Sequence, residues 1–196
     1  MQAQSRRTSR TLRRGYERPV WRDSRAAGRP NAGALIRGTK LPAEGRHFFS
    51  WDPERRRSPT PLWRRYATAR LIRVLLRVAA DYARAHPHAP RLTIGDLSRP
   101  RGGEFGARYS PRLLHASHQN GLDVDIYYPR RDRRERAPSA VKDIDLALSQ
   151  ELVDRFVRAG AQFVFVGPNT RLTGPRRIVQ AVPRHDNHLH VRLPPG

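Results

Sequence analysis

Cysteine is absent from the 196 residues, so no disulfide can staple the fold and no thiolate can hold a metal. Any transition metal would have to be bound through histidine and carboxylate. Acidic residues are scarce as well: 17 Asp and Glu face 39 Lys and Arg, nearly all of them Arg, for a formal charge of +22. That imbalance attracts polyanions but dictates neither fold nor chemistry. Long apolar runs are missing too. The richest stretch, Leu71 to Ala80, is broken by Arg73 and Arg77, which excludes a membrane-spanning helix of about 20 apolar residues. The N-terminal segment has no apolar h-region, so Arg6-Arg7 and Arg13-Arg14 do not read as part of a secretory signal. Residues 1–32 are dense in Arg and poor in large apolar side chains, and are expected to form a disordered basic arm.

The remainder, residues 33–196, has the length of one domain with its own core. Leu71, Leu75, Val78, Ala79 and Tyr82 recur opposite a face of Arg70, Arg73, Arg77, Asp81 and Arg84, which predicts one amphipathic helix from Leu62 to His86, ended by Pro87. A second helix is predicted over Asp145 to Ala159, with Gly160 at its C-terminal cap. Short strands are predicted at Leu92-Thr93-Ile94 and Gln162 to Val166. In Leu122 to Tyr128, apolar Leu122, Val124 and Ile126 alternate with Asp123, Asp125 and Tyr127, as in a core strand with an acidic open face. His188 to Leu193 alternates the same way and puts His188 and His190 on one side. Interspersed helices and strands imply an α+β domain with a central antiparallel sheet and flanking helices. Gly102-Gly103 reads as a turn requiring glycine torsions rather than a phosphate cradle, since no P-loop Lys follows.

Five of the eight histidines crowd into two clusters, His115-Ala-Ser-His118 and His185-Asp-Asn-His188-Leu-His190. Catalytic zinc commonly takes three protein ligands and keeps a fourth position for water, and imidazoles plus a carboxylate suit it where thiolates are absent. His118 and Asp125, joined by His190 from a second strand, are a candidate set. Strand phase lets one of His188 and His190 bind metal while the other faces substrate or water. Asp123 shares the face of Asp125 and competes with it; the alternative role for Asp123 is to orient a ligand histidine. His47, His86 and His88 read as ordinary solvated or hydrogen-bonded histidines, and Asp96 as a structural loop or cap acceptor.

The segments GDLSRPRGGEF, SHQNGLDVD and HDNHLHVRL resemble the penicillin-insensitive murein endopeptidases, part of a wider zinc group with lysostaphin-type endopeptidases, D-Ala-D-Ala peptidases and the hedgehog signalling domain. The shared pattern is a His, six residues, an Asp, and later a His-x-His. The resemblance implies that His118, Asp125 and His190 bind one zinc per chain, that His188 handles the proton of the zinc-bound water, and that His185 assists beside it. His115 also matches a family histidine and is a further candidate ligand, for a metal outside the main site in some relatives. Ser98, Arg99 and Gln119 are expected contacts for a carboxylate-bearing peptide stem. The implied activity is hydrolysis of peptide cross-links in peptidoglycan, at a D-Ala to diamino acid bond, outside the cytoplasm. Anionic cell-wall polymers are a further expected partner.

Two other readings compete. The charge fits a nucleic-acid-binding protein, but the arginines are spread along the whole chain and no helix-turn-helix, zinc-finger or RNA-binding pattern accompanies them. A zinc-containing interaction module without catalysis is the second, against which the presence of His188 argues. A 2-His-1-carboxylate iron oxygenase does not suit the spacing.

Overall fold

A computed structural model describes residues 15–106, 108 and 115–196, and its first element already departs from the predicted arm. β1 (Arg25–Arg29) and β2 (Ala32–Ile36) form an antiparallel hairpin in which Ala26 faces Leu35. The hairpin is tied down by backbone: Leu35 N–H donates to Arg101 O, Gln119 N–H to Pro30 O, and Gly103 N–H to Gly33 O. Main-chain pairing needs no large side chains, so a composition reading over 1–32 misses it. The domain therefore begins before residue 33, and residues 1–14 of the expected arm lie outside the described residues.

β3 (Thr39–Lys40) pairs with β5 (Tyr66–Ala67), while β4 (Phe48–Ser50) enters the main sheet. The predicted 62–86 helix is shorter than expected. Leu62–Arg64 is a single 3-10 turn, β5 follows, and α1 runs Ala69–Ala85. Thr68 fixes the start, its side chain accepting from Leu71 N at 3.3 Å, and the helix ends before Pro87. Its buried side is Leu71, Ile72, Leu75, Val78, Ala79 and Tyr82. Each buried Leu or Ile contributes about 1.5–3 kcal/mol.

β6 (Leu92–Ile94) and β7 (Asp123–Tyr127) follow, then α2 (Leu146–Arg158), capped by Asp145, which accepts from Leu148 N at 3.1 Å. Gly160 closes that helix with φ +82°, the left-handed torsion glycine permits. β8 (Phe163–Val166), β9 (Val179–Ala181) and β10 (His188–Arg192) complete a six-stranded sheet of order β4-β6-β7-β10-β8-β9. The three inner pairings are antiparallel, as expected, and the edge strands β4 and β9 add in parallel.

One face of this sheet, with Val124, Ile126, Val164, Leu189 and Val191, packs on both helices in one hydrophobic core. The alternate residues of the same strands must then point to the opposite face. The fold is a single α+β domain whose described helices α1 and α2 lie on one side of the sheet, which reserves the other side for the histidines.

Candidate metal centre

On that second face the register builds a grid. β10 presents His188, His190 and Arg192; opposite them β7 presents Tyr127, Asp125 and Asp123. β8 sets Phe165 beside His190 and Phe163 beside Arg192. The expected acidic face of β7 is thus correct in phase but not open: Asp123, Asp125 and Tyr127 are all buried. The loop after β6 covers it and brings in His115 and His118, and a cleft of about 750 Å³ opens over the histidines.

Asp125 is the hub. His190 Nδ1 stands 3.2 Å and His118 Nε2 3.4 Å from its Oδ1, His188 Nε2 3.8 Å from the same oxygen, and His115 Nδ1 3.8 Å from Oδ2. Donor atoms of His115, His118 and Asp125 lie within 4.8 Å of one another, a grouping compatible with a metal ion. His118 Nε2 and Asp125 Oδ1 are buried with no hydrogen-bond partner. Orphaned donors and acceptors of that kind cost about 1–3 kcal/mol each unless something binds them.

The far side of each imidazole is spoken for. His118 Nδ1 lies 2.7 Å from Leu97 O and must donate to it, which leaves Nε2 as a lone pair facing the centre. His190 Nε2 is 2.8 Å from Asp123 Oδ1, so Nδ1 faces inward. Asp123 Oδ2 also accepts from the backbone N–H of His118 at 3.4 Å. One buried carboxylate thereby orients both histidines, the partner role anticipated for Asp123. His118 itself holds φ +69°, an uncommon torsion for a non-glycine residue, at the point where its ring turns into the site. Phe105 stacks on its ring at 5.6 Å, and Phe165 lies 5.5 Å from that of His190.

His115 is not remote from this centre, as a separate outer metal would require; it shares it. Its Nε2 lies 2.9 Å from Asp96 Oδ2, and Asp96 takes both forks of the fully buried Arg64, at 2.7 and 2.6 Å. Arg64 also reaches Asp52 and Glu54. Asp96 is therefore no loop or cap acceptor but the link that aims His115. A lone Arg in a 3-10 turn gives no sequence signal of this.

His185 and His188 form the rim, with rings 4.9 Å apart. His188 Nδ1 is 2.7 Å from Asn187 Oδ1, and burial pushes its pKa down to about 4. The turn carrying them is pinned by Tyr128 Oη donating to His185 O at 3.1 Å and by Asp186 accepting from Asn169 at 3.1 and 2.6 Å. Burial alone would lower the His190 pKa, but the hydrogen bond to Asp123 and the facing Asp125 carboxylate outweigh it and lift it to about 9. Burial likewise opposes ionisation of Asp125, yet the electrostatic attraction of the histidines crowded round it, His118 and His188 foremost, holds it well below the usual carboxylate range.

The three expected substrate contacts fall elsewhere. Ser98 is buried in a backbone bridge to Tyr66, Arg99 bonds the Glu104 carbonyl at 3.1 Å, and Gln119 spends its backbone on Pro30 and Gly103. None is among the described residues lining the cleft. Missed instead were Arg184, Asn187 and Arg192, all of them cleft-lining, of which Arg192 was readable from strand phase alone.

A family model described as penicillin-insensitive murein endopeptidase matches residues 26–162, a span that contains His115, His118 and Asp125 and stops short of His185, His188 and His190. No curated protein matches.

Proposed function

The chain belongs to the penicillin-insensitive murein endopeptidase family, and on that premise we propose that it hydrolyses D-Ala to diamino acid cross-links of peptidoglycan with one zinc ion held by His118, Asp125 and His190. The observation that carries the reading is the spacing of donors around Asp125. Two ligand atoms each about 2.05 Å from a tetrahedral zinc stand about 3.3 Å apart. His190 and His118 stand 3.2 and 3.4 Å from Asp125 Oδ1, whereas His188 and His115 are both at 3.8 Å from that carboxylate. The donor set, the orphaned His118 Nε2 and Asp125 Oδ1, and the acceptors fixing each outer nitrogen support the same choice.

Bound zinc supplies a Lewis acid that polarises the scissile carbonyl and brings a water toward a pKa of about 7. His188 does the proton work. Its Nδ1–H is held by Asn187, leaving Nε2 as a free lone pair in a cleft-lining ring, and its low pKa keeps the imidazole neutral at pH 7. It takes the proton of the attacking water and delivers it to the departing amine, with His185 flanking it. His115, fixed by Asp96, is the fifth imidazole of the site and the runner-up ligand. The substrate places the action in the periplasm or cell wall, and the charge of +22 supports attraction to anionic wall polymers.

Purified cross-linked muropeptides incubated with the protein test the reading by mass analysis. Dimers should gain one water and separate at the D-Ala to diamino acid bond, chelator should stop this, and zinc should restore it. His188→Ala should keep its zinc and lose about 10²- to 10⁴-fold in turnover. Dimers left intact by zinc-loaded wild-type protein would end the proposal.

A further inference from the structure

Arg192 is a cleft-lining cation that the chemistry above leaves unused. It lies on β10 two residues past His190 and on the same face, about 7 Å further along the strand. Its Nε donates to Asp123 Oδ1 at 2.6 Å, the same oxygen that accepts from His190 Nε2 at 2.8 Å. The guanidinium is thereby locked beside a candidate metal ligand. Among the described residues no partner engages its Nη groups, although the side chain is only 17% exposed. Phe163, its register partner on β8, gives it an apolar neighbour that keeps the local dielectric low. An arginine fixed through Nε retains the Nη1/Nη2 edge, the edge that grips a carboxylate with two parallel hydrogen bonds.

The strand also gives that edge a place in the reaction. β10 runs His188, His190, Arg192. In the hydrolase reading the amine departs toward His188, and a substrate laid along β10 would then carry its acyl half past His190 toward Arg192. We propose that Arg192 is a specificity-determining residue that binds a free carboxylate on the acyl half of the substrate. This deepens the hydrolase reading and rests on it.

The test uses two synthetic cross-linked peptides that share the scissile bond and differ only in whether an acidic residue on the acyl side carries a carboxylate or a carboxamide. Their acyl-half products serve as ligands for calorimetry on zinc-reconstituted protein, a readout that needs no turnover. Wild type should favour the carboxylate by about 10- to 100-fold in Kd, and in cleavage mainly through KM. Arg192→Gln should bring that ratio close to one. Arg192→Lys keeps a charge against Asp123, should fold, and should retain only a small part of the preference. Because each ratio is taken within one protein, general damage to the fold cancels.

Equal binding of both products by wild type, or a preference that survives in Arg192→Gln, would overturn the assignment. Should the product preference hold while no cross-linked peptide is cut, the hydrolase reading falls and the carboxylate site stands.

Discussion

His190 shows how much of the site is decided by single contacts. With Asp123 on one nitrogen and Asp125 facing the other, its pKa is lifted to about 9, so in metal-free protein it is an imidazolium at neutral pH. A metal ion takes Nδ1 only by expelling that proton. Zinc affinity should therefore rise about tenfold per pH unit from near neutrality up to about pH 9 and level off above it. Competition with a chromophoric chelator across that range measures it, and an affinity that does not change with pH would contradict the assignment. Without metal the sign for stability is reversed. A histidine raised from 6.5 to about 9 stabilises the fold fully below pH 6.5 and loses that contribution as pH climbs through 9.

Strands and helices were legible wherever one side chain period repeated. The alternation in β7 and β10 placed Asp125, His188 and His190 correctly because the phase of a strand is written in its own residues. Register is not. That His190 sits opposite Asp125 and Arg192 opposite Asp123 depends on pairing segments more than sixty residues apart, and so the Asp123 link to Arg192 could not be read. The β1-β2 hairpin escaped for a related reason, being held by main-chain bonds to loops around 101–103 and 119. The helix predicted over Leu62 to His86 is longer than α1 because Leu62, Arg64 and Arg65 continue its pattern, whereas the cap at Thr68 sets the real start. Thr68→Ala should cost about 1 kcal/mol in denaturant unfolding with the same m-value. An unchanged midpoint would mean that β5 and not the cap defines the start of the helix.

The whole molecule divides its labour across one sheet. The described helices α1 and α2 cover one face and bury the core; the other face carries His188, His190, Asp123 and Asp125, and the loop laid over it adds His115 and His118. Among the described residues no helix is long and apolar enough to cross a membrane. The net charge of +22 is spread over the whole sequence, so it bears on encounter with anionic polymers more than on the chemistry at Asp125. The arrangement stands or falls on which side chains hold the ion. A crystal of zinc-soaked protein, measured on both sides of the zinc absorption edge, decides this most directly. The account predicts one anomalous peak per chain, about 2.0–2.2 Å from His118 Nε2, an Asp125 oxygen and His190 Nδ1. No peak, or one bound by His115 with His190 left on Asp123 alone, would contradict it.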